Sequence, residues 1–468
     1  MPDPDLRARL VALGPDALAD ALLRLADEHE AVHERVQSLV ATPSEKLTRV
    51  RRALGGLARR RRFVHYREAP EFARQLRSIL EELRGSGCDP VTGLDLVGRF
   101  FEQDARTLGA CDDSAGIVGD VYRIDAADAW AHFAGAVDDP DLLVDRTFAL
   151  IGTDDFGVRD AVLDRIDTWL PRAHVDRLVE RLWERAAEER AAQERAAAER
   201  AAGDRWRPNR PHALLNIERI AKAVVDPELF ERATVEWTGG EVGGLDAQIA
   251  QVYLAAERPR DALRWLERDD GRVSPRAYEQ RQMTKEAYRQ LGRTDRVEAM
   301  VRADFERHPG VTGLDELVAL LGEDARAGLI DEAVARIEAG DDFDPAIVGF
   351  LLEVGRPDTA AARVVKHRDR IDGRDWYAWG SVADALREAH QPLAATCVTR
   401  ALLVSILDTA RTKAYGHGRR MWARLITLAD AIDDWHDVEP HPAFGERLYE
   451  RHRRKRSFWD KVPSQQRP

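Results

Sequence analysis

Three cysteines in 468 residues, Cys88, Cys111 and Cys397, stand far apart with no pair at metal-ligand spacing. That excludes a disulfide framework and a zinc ribbon and suits a reducing compartment. No apolar run approaches the roughly 18 residues that a membrane span needs. The N-terminus, Met1–Pro2–Asp3–Pro4, has neither a basic n-region nor an apolar h-region, so no secretory signal is expected. Several enzyme signatures are missing too: there is no GxGxxG behind a strand, no GxxxxGK[ST] and no GxSxG. His436 and His441 straddle acidic residues without the spacing of a metal motif. Nor is there an alternating strand pattern. The β-branched residues sit singly among Leu, Ala, Arg and Glu, which favour helix. Composition adds 44% hydrophobic and 33% charged residues with a net charge of −12. The expectation is a soluble, cytoplasmic, all-α protein whose surface as a whole does not suit nucleic acid or anionic membrane. Its length exceeds what one compact core accommodates, so several domains or an array are expected.

What the chain does have is a cadence. Short breaks at Arg258–Pro259, Gly292–Arg293, Gly328, Gly355–Arg356–Pro357 and His390–Gln391–Pro392 recur at steps of 34, 36, 27 and 35 residues. A period near 34 is that of a tetratricopeptide-type helical pair and predicts a solenoid. Leu245–Leu266 is its clearest unit, with Ile249, Tyr253, Ala262 and Leu266 at the packing positions. Val297 stands where a small residue is usual, and the unit around Gly355 reads as short, so the array is degenerate. The fold class that follows is an N-terminal helical domain followed by a degenerate tetratricopeptide-like α-solenoid.

Four regions are expected. Residues 1–182 form the N-terminal domain, with a helix from Ser44 to Arg62 interrupted at Gly55–Gly56, and others over Thr92–Leu108, Ala115–Phe133 and Asp160–Leu170. Residues 183–210 carry a pentad repeat that puts Arg185, Arg190, Arg195 and Arg200 four residues before Glu189, Glu194, Glu199 and Asp204. A five-residue step advances about 140° around a helix, so the alanines make no seam and the segment reads as a solvated projection. Residues 211–440 hold the solenoid, with glycine breaks at Gly239–Gly240 and Gly243–Gly244, and residues 441–468 a basic capping helix and tail.

Three sets of motifs carry a resemblance. They are Cys111–Asp112–Asp113–Ser114–Ala115–Gly116; Asp154–Asp155–Phe156–Gly157–Val158–Arg159–Asp160; and, near the C-terminus, Lys413–Ala414–Tyr415–Gly416–His417, His441–Pro442–Ala443–Phe444 and Arg454–Lys455–Arg456–Ser457–Phe458–Trp459. In order and spacing they resemble an uncharacterised bacterial all-helical family, a domain of unknown function. The C-terminal half is also similar to the helical-repeat tails of SWIM zinc-finger proteins, whose CxC…CxH ligand set this chain lacks. The resemblance implies a fold and no activity.

Candidate sites follow from residue type. Asp112, Asp113 and Ser114 could offer oxygens to a cation, or could cap the next helix. Lys413, Tyr415 and His417 could bind an anion or move protons, or could mark a helix bend at Gly416 and Gly418. From Lys46 to Arg84 twelve basic residues face four acidic ones, with Arg59, Arg60, Arg61 and Arg62 in one run. Those arginines could hold phosphates while Phe63, His65 and Tyr66 stack on bases, or could balance the acidic remainder. Phe458 and Trp459 could anchor a partner, although a cap folded over the last repeat accounts for them better. No cofactor and no metal are expected. The leading expectation is a non-enzymatic scaffold that binds a protein or peptide; a nucleic-acid-associated protein and an uncatalogued enzyme are the alternatives.

Overall fold

In this computed structural model, residues 4–29, 32–33, 36, 40–152, 154, 156–198, 210–239, 244–268 and 277–467 are described. Of the expected projection, residues 199–209 lie outside the described residues, as do Asp155, Gly240 and Gly243. The chain is all-α. Among the described residues there is no strand, only one parallel bridge between Val64 and Cys111. No helix among them is long and apolar enough to cross a membrane.

The chain divides into two compact units, Met1–Ala287 and Tyr288–Pro468. The first contains α1 (Pro4–Ala12), α2 (Pro15–Glu28), α3 (Pro43–Arg59), α4 (Ala69–Arg84), α5 (Pro90–Phe101), α6 (Asp104–Gly109), α7 (Ile117–Asp120), α8 (Ala127–Ala134), α9 (Pro140–Leu150) and α10 (Arg172–Ala198). It continues with α11 (His212–Ala223), α12 (Pro227–Thr238), α13 (Asp246–Ala255) and α14 (Pro259–Leu266); the unit boundary then falls within α15 (Ala277–Gln290). The second holds α16 (Thr294–Arg307), α17 (Val311–Leu321), α18 (Arg326–Ala339), α19 (Pro345–Glu353), α20 (Pro357–Lys366), α21 (Trp376–Glu388), α22 (Pro392–Asp408), α23 (Tyr415–Ala429), α24 (His441–His452) and the single turn α25 (Arg456–Trp459).

Among the described residues, an Asp–Pro step starts four of these helices. Asp89, Asp139, Asp226 and Asp344 each accept hydrogen bonds from backbone N–H groups of the first turn, while proline takes the first helical position, where no N–H is needed. The helices pair through a shared turn. Val225, Glu257, Gly292, Gly355 and His390 all have left-handed φ, between 52° and 73°. The following residue donates its N–H five residues back: Asp226 to Ala221, Arg258 to Tyr253, Arg293 to Tyr288, Arg356 to Leu351 and Gln391 to Leu386, at 2.8–2.9 Å. This is the Schellman closure of a helix C-terminus. One residue later the next helix begins, at Pro227, Pro259, Thr294, Pro357 and Pro392.

Five local expectations are corrected. The break assigned to Gly328 lies at Gly322, where φ is +95°; Gly328 is inside α18. With that shift the steps are 35, 30, 33 and 35 residues from Glu257 to His390, and the short spacing before Gly355 disappears. Gly55 and Gly56 do not interrupt α3, because Leu54 and Leu57 on either side are buried and hold it helical. The helix expected over Thr92–Leu108 breaks at Glu102–Gln103, and that over Ala115–Phe133 starts at Ile117 and passes through a π-helical stretch, Val121–Ala126. The segment after Val158 is a 3₁₀ run, Arg159–Thr168, kinked at Arg165, rather than an α-helix over Asp160–Leu170.

Each unit has its own apolar core. In the first, Phe100 packs against Tyr122 at 4.9 Å, and Leu76, Leu94 and Trp130 are buried around them. In the second, Phe305 meets Phe350 edge-on at 5.8 Å, and Leu317, Val348, Leu386 and Val398 continue the core. A further cluster gathers Leu403, Tyr415 and Trp422 with Phe444, Leu448, Phe458 and Trp459.

Candidate functional site

The sequence-identified residues fall in both units, and most have local structural work. In the first unit Asp113 accepts the N–H groups of Val118 and Gly119 at 2.9 and 2.7 Å, which makes it the cap of α7. Asp112 accepts from the Ser114 backbone and hydroxyl. Their carboxylates are directed to their own turn. The structure does bring this motif to the arginine run: Val64 exchanges backbone hydrogen bonds with Ala110 and Asp112, at 2.9 and 2.8 Å. Burial, and then Asp113 and Asp112, push the Cys111 thiol up, while Arg60 opposes them.

Within the run the four arginines differ. Arg60 is half-buried and stacks 4.2 Å from the Phe72 ring, and Arg62 pairs with Glu68. Arg59 and Arg61 are exposed and have no acidic partner among the described residues. Phe63 and Tyr66 are exposed beside them.

In the second unit Lys413 lies exposed on a 3₁₀ turn, Tyr415 is buried against Phe458 at 5.5 Å, and His417 turns outward to Arg420. The three do not form one constellation. Phe458 and Trp459, considered as partner anchors, are 0% and 3% exposed; the Trp459 indole donates to the His452 carbonyl at 3.1 Å. They are core residues, placed there because α25 folds against α23 and α24 and removes their rings from water.

One cluster was not assembled from sequence. Asp154, Asp160 and His212 bring possible ligand atoms within 4.8 Å of one another. His212 Nε2 lies 3.0 Å from Asp160 Oδ2, and Asn216, its amide oriented to donate, adds bonds of 3.2 and 2.9 Å to the same carboxylate. The Asp160 hydrogen bond raises the pKa of His212, ahead of the opposing effect of burial. Asp154 accepts the N–H groups of Phe156, Val158, Arg159 and Asp160, two on each oxygen. A carboxylate oxygen has about two lone-pair sites, so Asp154 has none left to offer a cation. The cluster ties the 3₁₀ run to α11 across 52 residues.

One open concave feature lies in the second unit. A groove of about 450 Å³ runs between α19 and α21. Its wall is mostly apolar, with small residues Ala346 and Gly349 from α19 and Ala378, Ser381 and Ala385 from α21, and it includes Glu353. The helical spacing puts Tyr377 one turn before Ser381 on the same side of α21, and the Ser381 hydroxyl donates to the Tyr377 carbonyl at 3.3 Å. Tyr377 is 77% exposed and Trp376 58%. Gly349 sits mid-helix, where glycine costs up to about 1 kcal/mol relative to alanine. A Cβ there would meet nothing within 4 Å. Packing does not demand this glycine; the space over it is open.

Both units fall under one family model, the "family of unknown function (DUF6880)", which matches residues 6–461. The chain belongs to that family. No curated protein matches it. A solved structure described as a "circular tandem repeat protein with novel repeat topology and enhanced subunit contact surfaces" is 16% identical over 94% of each chain, with a TM-score of 0.14, too poor a superposition to speak to the fold. The match bears out the resemblance to a domain of unknown function, and it brings no activity with it.

Proposed function

We propose that this protein is a non-enzymatic helical-repeat scaffold of the cytoplasm, and that the α19–α21 groove holds a segment of a partner protein carrying apolar side chains. The observation that carries the reading is the open space over Gly349, between two helices that begin successive pairs, with exposed Trp376 and Tyr377 at the start of α21. Small wall residues admit a partner's side chains, and rigid aromatic rings at the start of α21 supply contact area at low entropic cost. The test is affinity capture from the source cell with wild type, Gly349→Trp and Tyr377→Ala, each checked for native helicity. Proteins held by the wild type should be lost by both variants, and a purified fragment of one should bind only the wild type. An unchanged set of partners would remove this reading.

A second reading rests on Arg59 and Arg61, which have no acidic partner among the described residues, near exposed Phe63 and Tyr66, and assigns nucleic-acid phosphates to that face. It predicts single-stranded oligonucleotide binding that weakens steeply with salt and falls when both arginines become glutamate. Binding indifferent to salt sinks it.

A further inference from the structure

The first unit begins with an amphipathic helix whose apolar face covers no core. In α2, Leu18, Leu22 and Leu25 fall at helical spacing and form one stripe. Leu22 and Leu25 are 39% and 46% exposed, and only Ala26 of this helix is buried. No residue of α1 or α2 belongs to the apolar cores of either unit. A helix of 14 residues is marginal in water by itself, and in proteins it is held by burial of its apolar face. The leucine stripe therefore calls for a surface outside those cores.

The charges of α2 narrow that surface. Asp16, Asp20, Asp27 and Glu28 stand against Arg24 alone, and none of these acids has a cationic partner among the described residues. A lipid surface is a poor match, because helices that lie on anionic membranes carry lysine and arginine on their polar face. A basic protein surface with an apolar floor is a good one.

The same unit presents such a surface. A groove of about 580 Å³ runs between α3 and α4. Its floor is Ala53 and Leu57 from α3 with Phe72, Leu76 and Ile79 from α4, of which Ala53 and Ile79 are half-buried. The α3 side is bare at Gly56, which is exposed and where a Cβ would meet nothing within 4 Å. Arg59, Arg60 and Arg74 stand in the wall with one acid, Glu71, which pairs with Arg74. Arg59 and Arg60 have no acidic partner among the described residues. Arg59 is exposed, and Arg60 lies half-buried with its guanidinium 4.2 Å from the Phe72 ring. The groove is apolar along its floor and positive where α3 ends.

We propose that α2 of one copy of this chain lies in the α3–α4 groove of a second copy, and that the exchange is reciprocal. The leucine stripe fills the space over Gly56 and covers Ala53 and Ile79. Glu28, at the border of the stripe by helical spacing, is the acid placed to reach the arginines. Asp16, Asp20 and Asp27 lie on the far face, so their attraction to the basic wall steers approach more than it adds affinity. A reciprocal exchange uses the same two surfaces on both chains and closes at a dimer. It does not depend on the α19–α21 groove.

The experiment measures the mass of the full chain in solution by analytical ultracentrifugation over a concentration series. A dimer is expected. Leu22→Glu with Leu25→Glu should weaken it by about tenfold or more, and so should Gly56→Trp with Arg59→Glu, which fills the groove and reverses its charge. None of these four residues is buried, so helicity and thermal unfolding of the monomer should match wild type. Mixing the two double variants is the deciding arm. One keeps its groove and the other keeps α2, so the mixture should form a heterodimer held by one contact where each variant alone stays monomeric. A wild-type chain that is monomeric at every concentration overturns the proposal. A dimer that survives Gly56→Trp with Arg59→Glu also overturns it, in favour of α2 pairing with α2, as does a mixture without heterodimer. Should the groove variant lose helicity, Arg59→Glu alone takes its place in both arms. The readout is mass, which keeps the outcome separate from oligonucleotide binding at Arg59.

Discussion

Arg159 holds Asp104 through two parallel hydrogen bonds of 2.7 Å each, with both residues buried at 8% and 1% exposure. The pair joins the start of α6 to the 3₁₀ run 55 residues on. Breaking a buried pair leaves the other charge stranded, at about 3–5 kcal/mol. Asp104→Ala should therefore lower unfolding stability by that amount in denaturant titrations. Replacing both residues with apolar side chains should cost less than the single change. If Asp104→Ala shifts stability by less than about 1 kcal/mol, the pair does not have this role.

A pH dependence follows from Asp160 and His212. The hydrogen bond raises the folded-state pKa of His212 above its ordinary 6.5. The stabilisation is then fully present below 6.5 and is lost as pH rises through the folded value. His212→Gln should be destabilised relative to wild type most at acidic pH, with the gap closing above neutrality. A gap that widens with rising pH contradicts the assignment.

The C-terminal residues separate cleanly. Phe458→Ala removes a ring at 0% exposure and should cost the second unit about 3–5 kcal/mol. Lys413→Ala and His417→Ala, both exposed, should stay within about 0.5 kcal/mol. Thermal denaturation of the three variants side by side checks the contrast.

Gly349 gives a prediction of opposite sign. Because a Cβ there meets nothing, Gly349→Ala should stabilise the protein by up to about 1 kcal/mol through helix propensity. A rise in Tm confirms that the glycine is not required for folding, and a fall shows that it is.

The sequence conveyed the helices and their pairing because proline, glycine and apolar spacing act locally. It misplaced the turn at Gly328 because a glycine in an open helix position looks the same in sequence as one at a break. Gly322, six residues earlier, is the one with positive φ. The motif around Asp154 was visible, yet its contact with His212 was not, since no periodicity links residues 52 apart. For Phe458 and Trp459 the sequence favoured a cap over a partner anchor, and packing against α23 and α24 buries both rings.

The shared turn has one more consequence. At Val225, Glu257 and His390 the left-handed position is taken by residues that adopt it at an energetic penalty, so the geometry there is imposed by the five-back hydrogen bond and by the helix start that follows. The spacing of the pairs is thus encoded in backbone closure more than in residue identity. A repeat of this kind can diverge in letters while keeping its pitch, and templates that look for fixed residues at fixed places will pass over it.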